Sequence, residues 1–164
     1  MIRRGSLLER SLLLKFMQRT YQDLFPNENF FHLEQTVKQY FSSDTPLWWI
    51  EEESGGSGGR EELPPLTSPA SPAPVACLWV GNAIDQVHGN RHAHIFILYV
   101  VPEHRRRGIG TALMRYVENW AIQRGDRQIG LQVFQSNKPA LNLYNQLGYQ
   151  TQSIWMVKFL SAEK

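Results

Sequence analysis

The chain has 164 residues, 42 % of them hydrophobic, and a formal net charge of +2. That is enough for one domain with one core, and the near-neutral balance excludes a global field for nucleic acid. The single cysteine, Cys77, excludes an internal disulfide or a cysteine metal cluster and fits a reducing cytoplasm.

Met1–Arg4 reads as a very short edge strand. Glu9 and Arg10 cut the following leucines short, so this start is not read as a signal peptide. No apolar run approaches the ~20 residues needed to span a bilayer, so no membrane partner is expected. Residues 6–24 read as a helix, with Leu13, Phe16, Met17 and Leu24 near helical spacing and Pro26 stopping it. A second helix carries Phe30, Leu33, Val37, Tyr40 and Phe41 on one stripe and ends at Asp44-Thr45-Pro46. Leu47–Glu53 reads as a strand, Trp-rich and then acidic.

Residues 54–74 hold four Gly, four Ser and five Pro in 21 positions. Such a stretch buries too little to offset its ordering entropy, so it is expected to be an insertion between two paired strands of a single domain. Val75–Ala83 is the next strand, Asp85–Arg91 a turn, and Ala93–Val101 a strand apolar on both faces except at His94. Thr111–Arg124 reads as a helix closed by Gly125, and Gln128–Phe134 as a strand. Asn137 caps a further helix that tolerates Pro139 in its first turn and ends at Gly148. Tyr149–Leu160 reads as a last strand, in one or two pieces.

The most informative stretch joins the His94 strand to the next helix. Pro102 stops the strand, Arg105-Arg106-Arg107 follow, and Gly108-Ile109-Gly110-Thr111 opens the helix. Backbone N–H groups at such a turn converge, and the helix N-terminus adds partial positive charge. Glycines let those groups approach an anion without a Cβ in the way, and the arginines add charge-assisted bonds. A pyrophosphate is the natural occupant.

Val100-Val101-Pro102-Glu103-His104-Arg105-Arg106-Arg107-Gly108-Ile109-Gly110 resembles the acetyl-CoA signature of the GNAT N-acetyltransferase superfamily, Arg/Gln-x-x-Gly-x-Gly/Ala. Asn137-Lys138-Pro139-Ala140-Leu141-Asn142-Leu143-Tyr144-Asn145-Gln146-Leu147-Gly148-Tyr149 resembles its second element, Asn-x-x-Ala-x-x-Leu-Tyr-x-x-x-Gly-Phe/Tyr. The resemblance is close over about residues 93–150. It implies an α/β (α+β) fold: a mixed, mostly antiparallel central sheet, helices on both faces, and a splayed strand pair holding acetyl-CoA. It also implies an enzyme, with acetyl-CoA as co-substrate, that moves an acetyl group to a primary amine of a small molecule or protein by direct attack in a ternary complex. The five histidines are scattered, and His92 and His94 lack companion Cys, Asp or Glu at useful spacing, so no metal is expected.

The cofactor-binding residues it implies are Tyr99, Val100 and Val101 on the strand; Arg105, Arg106, Arg107, Gly108, Ile109, Gly110 and Thr111 on the turn; and Asn137, Ala140 and Tyr144 on the later helix. Tyr144 stands where members place a tyrosine beside the cofactor sulfur, although it also lies on the stripe of Ala140 and Leu147. His94 stands where some members carry a base, eleven residues before Arg105; His92 and water are the alternatives. Cys77 is not expected to be a nucleophile. Glu51–Glu53 can attract a cationic amine, but a solvated strand end is the simpler reading. Members often dimerise, which makes a homodimer an expectation here. A non-catalytic CoA-binding or protein-interaction module is the alternative function. Nucleic-acid binding through the three arginines lacks aromatic interleaving and a basic face.

Overall fold

A computed structural model of the chain describes residues 1–52 and 73–161. In order it contains β1 (Ile2–Arg4), a 3-10 turn (Leu7–Glu9), α1 (Arg10–Leu24), α2 (His32–Tyr40), β2 (Leu47–Glu51), β3 (Pro74–Ile84), β4 (Arg91–Val100), a second 3-10 turn (Pro102–His104), α3 (Ile109–Arg124), β5 (Ile129–Leu131) and α4 (Lys138–Gln146). No described helix is long and apolar enough to cross a membrane. The chain divides into two units, Met1–Gln132 and Val133–Lys164.

The first unit is built on an open sheet of order β1-β2-β3-β4-β5. The first three pairings are antiparallel and β4–β5 is parallel, with α3 as the crossover that a parallel pair requires. The expected insertion at 54–74 falls almost wholly outside the described residues. The strands on either side of it are hydrogen-bonded neighbours, with Glu51 opposite Pro74.

Period-two alternation sends successive side chains to opposite layers. Leu47, Trp49, Cys77, Trp79, Ile97 and Tyr99 form one core with Leu13, Phe16 and Met17 of α1 and Leu33 and Val37 of α2. Phe16 meets Trp49 and Tyr99 edge-on, at centroid distances of 5.1 and 5.7 Å. Trp48 points the other way and packs edge-on against Tyr116 and Trp120 of α3, at 5.6 and 5.3 Å. The dipeptide Trp48-Trp49 therefore serves both layers.

Pairing of β3 with β4 slips by one residue. Trp79 faces Ile97, but Val80 faces Ile95, so Phe96 is an extra residue. Its ring lies over Gly81: a Cβ there would stand 2.1 Å from two ring carbons. Glycine is required at that position because an aromatic ring approaches the backbone.

Two carboxylates anchor the edges. Glu9 accepts from Arg3 Nη2 at 2.7 Å, the Ser6 N–H at 2.6 Å and Trp49 Nε1 at 3.1 Å, joining the chain start to β2. Arg3 also pairs with Glu51. Of the acidic run considered as an amine attractor, Glu51 is thus committed to Arg3, Glu52 lies 3.4 Å from His104 Nε2, and Glu53 is outside the described residues. Asp126, whose side chain is 2 % exposed, accepts from the Ala93 N–H at 2.8 Å and from Arg124 Nε and Nη2 at 3.0 and 2.6 Å. Burial alone would raise its pKa, but these donors outweigh it and hold the carboxyl below the usual carboxylate range.

In the second unit Asn137 caps α4, its Oδ1 accepting from the Ala140 N–H at 3.3 Å. The strand expected at Tyr149–Leu160 is not formed. Trp155 and Phe159 are 81 % and 90 % exposed, and the described residues of this unit contain no other strand for the segment to pair with. β5 is likewise shorter than the Gln128–Phe134 expected, ending at Leu131 just before the unit boundary.

Replacing Asp126 with Asn strips charge from a buried bidentate pair and leaves Arg124 uncompensated, which should cost about 3 kcal/mol in urea unfolding. Because the folded-state pKa is depressed, the Asp126 contribution is present above the unfolded carboxylate pKa of about 3.9 and is lost as pH falls below it. Asp126→Asn should therefore also flatten the acid limb of the stability profile.

Candidate functional site

The turn after β4 is built by backbone conformation. Pro102 opens the 3-10 turn, whose position tolerates a missing N–H, and Arg105 is extended. Arg106 then adopts φ +62° and Gly108 φ +78°, both left-handed, before α3 begins at Ile109. The Ala112 N–H donates to Gly108 O at 3.0 Å, the first bond of the helix. The N–H groups of Ile109, Gly110 and Thr111 precede it and have no carbonyl within α3 to meet. A left-handed residue followed by helical ones makes a concave N–H cradle at the positive end of a 16-residue helix. Nothing lies within 4 Å of where a Gly108 Cβ would stand, so the cradle opens outward. Arg106 and Arg107 flank it and are exposed.

Arg105 is folded back instead. Its Nε donates to Val100 O at 2.8 Å and its Nη2 to Asp23 Oδ2 at 2.9 Å. The guanidinium carbon sits 5.3 Å from the Tyr99 ring centroid, and the Tyr99 hydroxyl donates to the same Asp23 oxygen at 3.2 Å. Burial, and then the Asp23 charge, raise the Tyr99 phenol above its usual pKa.

The direction of the β4 backbone follows from its register. The Val101 N–H donates to Val75 O at 2.9 Å, so Ile97, Tyr99 and Val101 turn their backbone groups toward β3, and Leu98 and Val100 turn theirs away. The extra residue at Phe96 resets this alternation, which lets Ala93 and Ile95 face β5. Pairing with β5 ends at Ile95–Leu131, leaving the Leu98 and Val100 groups on a side of β4 beyond that ladder. Of the three strand residues singled out in the sequence, only Val100 turns its backbone there, with its N–H open and its carbonyl taken by Arg105 Nε. Leu98 was missed, because an apolar run carries no mark of a bulge.

His92 and His94 point to one face of β4. Across it lies Gly130, whose absent Cβ would stand 3.2 Å from His92 Cε1 and 3.6 Å from His94 Nδ1. His92 is buried, with Nδ1 2.9 Å from Ala93 O. His94 is half-buried and stacks edge-on against Phe96 at 5.9 Å. Burial, and then the neighbouring His92, push its pKa below the ordinary value, so its imidazole is neutral at pH 7. Cys77 is completely buried, and burial pushes its thiol far up, which leaves no thiolate for nucleophilic chemistry.

In the second unit Tyr144 is half-buried on α4, its ring centroid 5.8 Å from that of Tyr149. Burial pushes its phenol up to about 12. Asn137 and Ala140 share the first turn of this helix through the cap bond.

A glycine-opened N–H cradle at a strand–helix junction has the geometry and the partial charge to accept an anionic group. The sequence matches the acetyltransferase (GNAT) family over residues 14–149, and the chain belongs to that family. It is similar to an uncharacterised N-acetyltransferase of Methanocaldococcus jannaschii, 35 % identical over 78 residues, 48 % of this chain and 33 % of that protein. It is similar also to the thialysine N-epsilon-acetyltransferase of Mus musculus, 40 % identical over 60 residues, 37 % of this chain and 35 % of that one. The chain thus spans about a third of the length of either relative. Among solved structures, an acetyltransferase from Clostridium acetobutylicum with acetyl-CoA superposes with a TM-score of 0.72 at 19 % identity, over 98 % of this chain and 96 % of that one, which shows the shared fold.

Gly108→Ala places a methyl in open space, so its cost is the left-handed backbone alone, about 1 kcal/mol. Thermal unfolding should show a drop of about 2–4 °C.

Proposed function

We propose that the chain is an acetyl-CoA-dependent N-acetyltransferase, one domain across its length, acting on a primary amine by direct attack in a ternary complex. The observation that carries this reading is the N–H cradle of Ile109, Gly110 and Thr111 behind left-handed Gly108. Its donors and the flanking Arg106 and Arg107 fit a diphosphate in charge and in bonding. The outward N–H and C=O of Leu98 and the outward N–H of Val100, whose own carbonyl is taken by Arg105, suit the amides of a pantetheine arm, which need strand-like partners. When bound, acetyl-CoA supplies an acetyl group activated as a thioester.

His94 takes the proton from the acceptor amine. Its depressed pKa keeps it in the basic form at neutral pH, and its half-exposed ring is reachable by substrate. Tyr144 hydrogen-bonds the departing thiolate. A phenol at about 12 stays protonated throughout the working range. It is also a weaker acid than a thiol of about 8.5, so it steadies the sulfur charge by donating a hydrogen bond and keeps its own proton. Asn137 keeps its side-chain NH2 as a donor for the cofactor arm while its oxygen caps α4. Holding both reactants in line supplies most of the acceleration.

Release of free CoA thiol across a panel of amines and peptides tests the reading. At least one amine should give turnover; calorimetry that finds no uptake of acetyl-CoA would overturn it. Tyr144→Phe should lower kcat about 10–100-fold with KM for acetyl-CoA little changed. If that variant turns over like the parent, Tyr144 is packing only. Uptake of acetyl-CoA with no turnover on any amine would favour the non-catalytic binding module. The kcat/KM profile should fall on its acid side at a pH below the ordinary imidazole range, where His94 with its depressed pKa gains its proton, and His94→Gln should remove that limb while lowering the plateau about 10²-fold.

A further inference from the structure

We infer that Asp23 is a positioning residue for the cofactor turn: it holds Arg105 as a strut between α1 and the end of β4, so that Arg105 shapes the anion cradle and does not itself grip the diphosphate. This rests on the acetyl-CoA reading for its ligand, though not for its geometry.

Three bonds close the strut. Arg105 Nη2 meets Asp23 Oδ2 at 2.9 Å, Arg105 Nε meets Val100 O at 2.8 Å, and the Tyr99 hydroxyl meets the same Asp23 oxygen at 3.2 Å. The guanidinium also lies over the Tyr99 ring at 5.3 Å. Helix α1, strand β4 and the turn thus share one cluster, although Asp23 and Arg105 are 82 positions apart. Asp23 sits in the last turn of α1, where the helix dipole disfavours a carboxylate. A local reading of α1 gives no reason for an acid there; the arginine and the phenol do.

The ion pair is half-exposed, with side chains 46 % and 45 % accessible, so its Coulomb energy is largely screened. Its effect is on conformation. The next residue, Arg106, is a non-glycine at φ +62°, a state that persists only where the surroundings enforce it. Fixing Arg105 at its Nε, its Nη2 and its ring face fixes the entry to that residue, and through it the aim of the N–H groups that follow. Swinging Arg105 outward would add a third cation for the ligand, but it would strand Asp23 against the helix end and break the bond to Val100 O.

The two roles of Arg105 predict opposite signs. If it is a strut, Asp23→Ala weakens acetyl-CoA binding about fivefold to tenfold by calorimetry, Arg105→Ala does the same, and the double variant is no worse than either single one. Apparent KM for acetyl-CoA rises in step while kcat at saturation stays within about twofold, and Asp23→Glu recovers part of the affinity. If Arg105 is instead a phosphate ligand that Asp23 restrains, Asp23→Ala leaves binding unchanged or tightens it, and only Arg105→Ala weakens it; that result overturns the inference. Amide hydrogen exchange of residues 103–108 in the ligand-free protein judges the geometry separately. Asp23→Ala should speed it, and unchanged exchange overturns the strut. A parent chain that binds no acetyl-CoA refutes the proposed function, while the exchange result still decides for or against the strut.

Discussion

One extra residue in β4 governs the arrangement of the first unit. An antiparallel strand exposes its backbone groups alternately to its two neighbours, so without a slip β4 would keep one alternation from end to end. Phe96 breaks that alternation between the Trp79–Ile97 and Val80–Ile95 pairs. Below it, Ala93 and Ile95 satisfy β5; above it, Leu98 and Val100 turn away from β3 where the β5 ladder has already ended. The slip also brings the Phe96 ring down on Gly81 and sets His94 beside it. The edge of β4 left beyond the β5 ladder and the histidine face are thus two outcomes of the same irregularity.

Around that strand the chain uses polar groups as fasteners between elements that hydrophobic packing alone would leave free to slide. Asp126 takes the Ala93 N–H at the start of β4 and the fork of Arg124 at the end of α3, which fixes the crossover at its base. Asp23, Arg105 and Tyr99 do the same at the opposite end, where α3 begins. Glu9 fastens the chain start to Trp49. Each is a carboxylate with two or more donors, the condition under which a partly buried charge is tolerated.

Much of this was legible from the order of residue types. Helical spacing placed Leu13, Phe16, Met17, Leu33 and Val37 in the core, and all five are buried there. The strand, arginine and glycine succession located the turn because left-handed backbone leaves a compositional trace at Gly108. Arg106 left none, since an arginine at positive φ looks like any other arginine. The bulge was invisible because Ala93–Val101 is apolar on both faces, so a one-residue slip changes no pattern. The Asp23–Arg105 contact joins distant positions, and periodicity carries no such information. Tyr149–Leu160 reads as a strand in the sequence, but strands exist only as pairs, and residue order alone says nothing of a partner.

Cys77 has a practical consequence for anyone who handles this chain. It is the one thiol in 164 residues, it lies in the middle of β3 with no accessible surface, and its proton is held tightly. Sulfhydryl-reactive dyes will therefore leave the native protein dark and colour only small-molecule thiols, giving enzymology a low background. The same seal becomes a conformational alarm: any reagent uptake by the protein itself reports that the sheet has come apart.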